Sequence, residues 1–409
     1  MTTDSGQRPT EQARPLLHLA LLGSEILGRI PPLSIAPALV GMAAIGAWPW
    51  GHPSLQAWMG IALGLAILGD GLSLALLPRY GRSFGPVTPP LLALAILRTA
   101  LAFVLGTIAP TAPMAAGTVF LQTGITAAQL YATWVEPFRL TLTSLEIRSP
   151  KLQSREPLRV LHLSDIHFEG WTPRERQLLE LARALAPDLI FLTGDYLNLS
   201  SVDDGPAQQG IRDLLRALAA VAPTYAVVGS PPVDRPDVIP QIFADLPITW
   251  LIDEVAEMEV KGHRLRLIGI RCTANHRQDG KRLRQILADP RSTSGERPGG
   301  EAGGPFHILL YHSPDLFPVA AEMGIDLHLA GHTHGGQLRL PLFGALVTSS
   351  AFWKRYEAGL YRMGPSTLYV SRGLGVEGKG APRARFLAPP EVVLLRFTHG
   401  LPVAHVTLG

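Results

Sequence analysis

Between Pro31 and Val135 the only charged side chains are Asp70, Arg79, Arg82 and Arg98, in a chain of 409 residues that holds 36 Lys or Arg and 33 Asp or Glu. So little charge over so long a stretch does not suit the surface of a soluble domain. The stretch divides into four apolar segments, Leu33 to Trp48, Leu55 to Leu77, Leu91 to Ala109 and Met114 to Val135, each about long enough to cross a bilayer. Turns containing Pro or Gly separate them. The expected organisation is a tail over 1–32, polar and proline-containing to Pro15 and then an interfacial helix over Leu16 to Ile30. An all-α transmembrane domain of four helices follows over 33–135, then a connector over 136–157 and a soluble domain over 158–409, with a flexible Gly-, Ser- and Pro-containing insertion at 291–305.

Cytoplasmic loops hold the excess of positive charge in membrane proteins. The turns at 49–54 and 110–113 are uncharged, whereas Arg79 and Arg82 lie between the second and third segments and Arg139, Arg148 and Lys151 follow the fourth. Both termini and the soluble domain are therefore expected in the cytoplasm, with Trp48, Trp50 and Trp58 at the outer interface. Asp70 and Arg98 stand at similar depth in adjacent segments, and an ionised group in hydrocarbon is costly unless paired. A structural ion pair between them is expected. The single Cys272 excludes an intramolecular disulfide framework and a Cys-based zinc cluster. A net charge of +3 fits an anionic substrate or a lipid surface, and dispersed basic groups on a membrane-tethered domain argue against nucleic acid.

Beyond Glu136 the pattern changes to short β-branched runs alternating with helical stretches: strands at 158–164, 188–193, 224–228, 264–270, 306–311, 326–330, 367–371 and 392–397, with helices at 172–186 and 206–221. Such alternation predicts an α/β fold. The strand ends carry the chemistry. They read Ser164-Asp165-Ile166-His167, Thr193-Gly194-Asp195-Tyr196-Leu197-Asn198, Tyr311-His312-Ser313 and Gly331-His332-Thr333-His334-Gly335. In α/β sheets, sites form at the carboxyl ends of strands. Two carboxylates and four imidazoles suit Mn, Fe or Zn better than an all-oxygen calcium or magnesium cage. Six ligands are too many for one tetrahedral ion, so two divalent ions about 3.5–4 Å apart and bridged by a carboxylate are the natural solution. His162, His307 and His328 fall within strands and are read as packing residues.

This order of Asp-x-His, Gly-Asp-x-x-Asn, His and Gly-His-x-His resembles the calcineurin-like metallophosphoesterases, in particular a membrane-anchored bacterial subgroup. Arg339-Leu340-Pro341, Ser371-Arg372-Gly373-Leu374-Gly375 and Pro389-Pro390-Glu391 extend the likeness from Glu136 onward. The resemblance implies a four-layer αββα sandwich. It also implies one metal held by Asp165, His167 and His334, a second by His312 and His332, Asp195 bridging them, and catalysis through Asp195 and His332 by attack of a metal-activated hydroxide. Asn198 falls where a role in orienting the ligands is implied.

One motif departs from that pattern. After the strand at 224–228 the family has Gly-Asn-His followed by Asp or Glu, and this chain has Gly229-Ser230-Pro231-Pro232. Ser230 is a weaker neutral ligand than Asn, and Pro231 can neither coordinate a metal nor donate a proton. Two functions stay open. One is hydrolysis of a phosphodiester or pyrophosphate, expected on a lipid-linked substrate such as UDP-diacylglucosamine. The other is a metal- or ligand-binding membrane protein with reduced or lost catalysis. Trp353, Lys354, Arg355, Arg372 and Lys379 are candidates for contacting an acyl chain and an anionic head group.

Overall fold

The computed structural model describes residues 26–83, 85–289, 304–377, 383–401 and 404–408. The expected tail and most of the expected interfacial helix, and nearly all of the insertion at 291–305, lie outside the described residues. The chain falls into two units, residues 1–135 with 377–384, and residues 136–376 with 385–409.

The first unit is helical. Its helices are α1 (Ala36–Ala47), α2 (Pro53–Leu76), α3 (Thr88–Ile108) and α4 (Ala112–Leu130), the last running on into a π-turn over Tyr131–Val135. Prolines in the first turn of each are tolerated because those N–H groups have no intrahelical acceptor. Three helical segments, Pro32–Trp50, Pro53–Tyr80 and Thr88–Ile108, are long and apolar enough to cross a membrane. The fourth expected span is also a helix but a more polar one, because Thr118, Gln122 and Gln129 face inward. They do so for a reason. Arg98 is fully buried and directs all five of its donors: Nε and Nη2 to the two Asp70 oxygens (2.7 and 2.9 Å), Nη1 to Gln122 O and Oε1, and Nη2 to Thr126 Oγ1. The expected pair is present, and α4 completes its coordination. Helices approach closely at small residues: a Cβ on Gly46 would fall 2.7 Å from Leu63, and one on Gly106 within 2.8 Å of Trp50. Trp50 is accordingly buried, contrary to its expected interfacial place, whereas Trp48 and Trp58 are exposed.

The second unit contains two sheets. Their strands are β1 (Thr141–Ser149), β2 (Leu158–Leu163), β3 (Leu189–Leu192), β4 (Thr224–Ala226), β5 (Ile248–Trp250), β6 (Glu254–Val260), β7 (His263–Gly269), β8 (Phe306–Leu310), β9 (Leu327–Ala330), β10 (Arg339–Leu340), β11 (Gly344–Ala345), β12 (Gly359–Met363), β13 (Ser366–Val370), β14 (Glu391–His399) and β15 (Ala404–Leu408). One sheet has the order β15-β1-β14-β2-β3-β4-β5 and the other β12-β13-β9-β8-β7-β6, with β10 and β11 forming a separate ribbon. The helices are α5 (Pro173–Leu185), α6 (Gly205–Ala219), α7 (Ile239–Phe243), α8 (His276–Ala288) and α9 (Phe317–Glu322).

The four layers follow from where apolar side chains meet. Leu145, Leu158, Val160 and Phe191 of the first sheet pack against Leu265, Phe306, Ile308 and Leu327 of the second. The outer face of the first sheet is covered by α5, α6 and α7 through Leu178, Ile211, Leu214 and Ile242. The outer face of the second is covered by α8 and α9 through Leu283, Leu287 and Ala320. Thr172 caps α5 in a capping box with Glu175. The stretch expected as a connector instead supplies β1, which pairs in parallel with β14 along nine residues. Its alternation of Leu142, Ser144, Glu146 and Arg148 with Thr143, Leu145 and Ile147 has the period of a strand with one face inward. That face includes Leu145 and Ile147, both buried.

Removing one partner of a buried pair costs about 3–5 kcal/mol, while replacing both with apolar groups is often close to neutral. Asp70→Ala should therefore destabilise the detergent-purified protein strongly. Asp70→Leu with Arg98→Met should recover much of the loss in thermal unfolding.

Candidate metal centre

Parallel strands from both sheets end at one place. β2, β3 and β4 run parallel in one sheet, as do β7, β8, β9 and β13 in the other. The residues just past β2 (Asp165, His167), β3 (Asp195), β4 (Ser230), β8 (His312) and β9 (His332, His334) come together there. Five of the six Asp and His residues have left-handed backbone, with φ of 49° at Asp165, 43° at His167, 57° at Asp195, 71° at His332 and 53° at His334. Each such residue costs about 1–2 kcal/mol, a strain that persists at functional sites where the surrounding fold enforces it. Two glycines make the approach possible. A Cβ on Gly331 would lie 2.0 Å from Asp165 Oδ2, and one on Gly229 would lie 2.2 Å from Asp195 Oδ1.

The six side chains form two groups, Asp165, His167 and His334, and Asp195, His312 and His332, with the ligand atoms in each within 4.8 Å of one another. In the first, His167 Nε2 and His334 Nε2 face each other at 3.1 Å, and Asp165 Oδ1 is 3.6 Å from His334 Nε2. In the second, His312 Nε2 is 3.1 Å from His332 Nδ1 and 3.2 Å from Asp195 Oδ2. The same Asp195 oxygen lies 3.6 Å from His167 Nε2, so this carboxylate faces both groups. Imidazole nitrogens turned toward one another beside a carboxylate can share either a proton or a cation, and the donor set fits divalent ions of the Mn, Fe or Zn kind. His167 Nδ1 lies 3.2 Å from Leu197 O and His312 Nδ1 2.8 Å from Thr193 O. Donation to those carbonyls leaves each Nε2 free to bind metal.

The electrostatics are those of a cluster awaiting positive charge. Burial opposes ionisation of Asp165 and raises its pKa. Burial acts the same way on Asp195, but His312, His167 and His332 outweigh it and hold that carboxylate well below its usual range. For His312, burial is overcome by Asp195 and Asp165, which push its pKa well above the ordinary value. Burial and the neighbouring His312 take His332 down to about 4, and burial, His167 and Arg385 take His334 well below its usual value.

Ser230 turns into the second group. Its hydroxyl is 3.2 Å from Asp195 Oδ2, 3.2 Å from His312 Nε2 and 3.4 Å from His332 Nδ1, and its N–H donates to Asp195 Oδ1. Asn198 stands behind the ligands rather than among them. Its amide donates to Val376 O and its oxygen accepts from Ser200, so it fixes the loop whose Gly375 packs on His167. His162 and His328 are buried away from both groups, and burial takes each down to about 3. His307 is buried as well, beside Asp326.

Two supporting residues were not singled out from the sequence. Asp234 accepts the backbone N–H groups of Asp195, Tyr196 and Gly229, tying the β3 and β4 loops together. Burial and the Asp195 charge push its pKa up to about 7. The other, Arg385, is fully buried. It donates to the carbonyls of Gly375, Ala388 and Arg372 and stands 3.3 Å from His334 Nδ1.

The expected substrate-contacting residues gather elsewhere, around a cavity of about 440 Å³ lined by Arg339, Lys354, Arg355, Glu357, Tyr361 and Arg372 among others. Arg372 is held by Pro389 O, Thr141 Oγ1 and Glu391. Gly335 of the histidine loop backs onto Arg372 and Ala358 of this wall. Trp353 is exposed beside it. Lys379 lies outside the described residues.

Residues 158–336 match the family model described as Calcineurin-like phosphoesterase. The chain is 32% identical over 229 residues to the phosphodiesterase YaeI of Escherichia coli, covering 54% of this chain and 76% of that protein. The chain belongs to the calcineurin-like phosphoesterase family. It is a metallophosphoesterase, a hydrolase of phosphoester bonds, and the family uses divalent metals. It is also similar to the UDP-2,3-diacylglucosamine pyrophosphatase LpxG of Chlamydia muridarum, 24% identical over 333 residues and covering 68% of this chain and 97% of that one. Among solved structures, TT1561 of Thermus thermophilus aligns over 54% of this chain and 91% of its own with 13% identity and a TM-score of 0.35. For this metallophosphoesterase, Asp165, His167 and His334 would hold one ion, and Asp195, His312 and His332 with Ser230 the other.

Loss of a residue that only supports a ligand costs metal affinity roughly 10–100-fold. Asp195→Asn, which alters the carboxylate facing both groups, should cost at least that much and lower the metal content per chain measured by mass spectrometry. Ser230→Asn should raise occupancy of the more weakly held ion in the same measurement.

Proposed function

We propose that this metallophosphoesterase is an integral membrane protein, with both termini and the catalytic unit in the cytoplasm, that hydrolyses a phosphodiester or pyrophosphate bond in a lipid-linked nucleotide such as UDP-2,3-diacylglucosamine. The observation that carries the hydrolytic part is the pair of facing ligand groups with Asp195 between them. When bound, two divalent ions supply Lewis-acid charge to the phosphoryl oxygens and lower the pKa of water. The chain's own residues do the rest. The Thr193 and Leu197 carbonyls orient the His312 and His167 rings, and Asp234 fixes the Asp195 backbone. Burial, with His167 and then Arg385 beside it, keeps the His334 ring neutral.

Ser230 supplies a hydroxyl where the family has an amide, and Pro231 has no proton to give the leaving group. A pyrophosphate substrate suits that pair of changes, because a nucleotide phosphate leaves with little help from a general acid. Support for a lipid-linked substrate comes from the three apolar helices, from the LpxG likeness over nearly all of that protein, and from the cationic cavity behind the histidine loop.

Purified protein loaded with Mn should release nucleoside monophosphate from UDP-2,3-diacylglucosamine in mixed micelles. Asp195→Asn should reduce kcat/KM by on the order of a thousandfold, about 4 kcal/mol of barrier. Cleavage of a soluble nucleotide diester with none of the lipid-linked compound would sink the substrate assignment. No turnover of either compound with any of several metals would favour a binding protein.

A further inference from the structure

The ribbon β10–β11 has an unusual tip. Pairing of Arg339 with Ala345 and Leu340 with Gly344 leaves Pro341, Leu342 and Phe343 as the connection. Connections this short usually hold Gly, Asn or Asp where the backbone turns left-handed. Here Leu342 takes a φ of 64° and is fully exposed to solvent. A branched apolar residue thus accepts both an unfavourable backbone and an unfavourable surface. It is not alone, because Leu340, Phe343, Leu346, Val347 and Trp353 around it are also exposed. The base of the ribbon is firmly held: Arg339 N–H donates to Phe386 O, Leu346 N–H donates to Leu338 O, and Arg339 pairs with Glu357 at 3.0 Å. The apolar tip is therefore presented by an anchored element.

Cations stand beside it. Lys354 Nζ lies 3.3 Å from the Phe343 ring centroid and donates to Phe343 O at 2.6 Å, and Arg355 is exposed next to it. An apolar tip, neighbouring aromatic rings and the adjacent pair Lys354 and Arg355 match, in that order, the acyl region, the interface and the anionic head groups of a bilayer. Five residues separate Val135, at the end of the last helix of the first unit, from Thr141, the start of β1. A bilayer holding the apolar helices would therefore be tethered to the second unit by a short segment.

We propose that the β10–β11 ribbon inserts its tip, Leu342 and Phe343, into the interface of an anionic bilayer, with Lys354 and Arg355 against the head groups. The inference rests on the reading that the chain resides in a membrane, and does not depend on which substrate it cleaves. It is tested on the full chain in a Cys272→Ala background. Leu342→Cys, or Asp213→Cys as a half-exposed control on α6, is labelled with an environment-sensitive fluorophore and reconstituted in vesicles of phosphatidylethanolamine and phosphatidylglycerol. The expected result is a blue-shifted emission at position 342 that doxyl-labelled phospholipid quenches, with neither effect at position 213. Quenching at 342 should weaken when phosphatidylglycerol is omitted, and again when Lys354→Glu and Arg355→Glu are introduced. An unshifted, unquenched probe at 342 overturns the proposal. A blue shift without lipid quenching also overturns it, because the tip would then be covered by protein. Loss of the chain from the vesicles on alkaline extraction would instead sink the membrane reading itself, and the two failures are thereby told apart.

Discussion

Asp195 sits between two groups of ligand side chains, 3.2 Å from His312 and 3.6 Å from His167, and the second unit is arranged so that it can stay there. A buried carboxylate is costly unless opposite charge or donors surround it. Asp195 meets that demand with His312 and the Ser230 hydroxyl and N–H, while its own N–H donates to Asp234. These partners come from the ends of β4 and β8, which lie in different sheets. The αββα layering is what brings them together. The core between Leu158, Phe191, Ile308 and Leu327 fixes the spacing of the sheets, and hence the distance across which the two groups face.

The strained backbone at five of these residues has the same origin. In a regular strand residues two apart share a face, so Asp165 and His167 leave β2 on the same side, and bringing both against Asp195 and His334 takes a sharp change of direction at the strand end. The left-handed turns supply it, and the neighbouring backbone closes over them only because Gly229 and Gly331 have no Cβ. Asp165 illustrates the fit, since its carboxylate also accepts the His332 N–H. One ligand loop thus holds the other in place.

Much of this was readable in the residues. Apolar runs of strand length ended in Asp and His, and β2, β8 and β9 could be recognised as near-continuous apolar runs because both of their faces are buried. What escaped has physical causes. β1 alternates Thr, Ser and Glu with Leu and Ile, a weaker signal than a continuous apolar run, and its partner β14 lies some 250 residues away. Asp234 was missed because its function is carried by backbone N–H groups, which a sequence does not display. Nothing in the sequence around Arg385 marks it as buried. Burial among carbonyls is a property of the loop it sits in, not of its neighbours in sequence. Trp50 was placed at an interface by its type, yet Gly106 opens a slot that takes the whole indole.

The chain buries ionised groups in two ways, and the contrast separates structure from chemistry. In the helical unit, Arg98 and Asp70 satisfy each other with two hydrogen bonds, and Gln122 and Thr126 take every remaining guanidinium donor. That network is closed and has no place for another ion. In the catalytic unit the buried groups are themselves metal-ligand types. His167 and His334 present nitrogens to each other at 3.1 Å, and His312 and His332 do the same. A neutral pair can share a single N–H···N hydrogen bond, whereas protonating both members would bury like charges. Divalent ions would take the place of the shared protons, so this cluster of nitrogens and carboxylates, rather than the closed network around Arg98, is where an external cation would belong. The side nearest Ser230 is the thinner of the two, since a hydroxyl already shared with Asp195, His312 and His332 stands where the family places an amide oxygen.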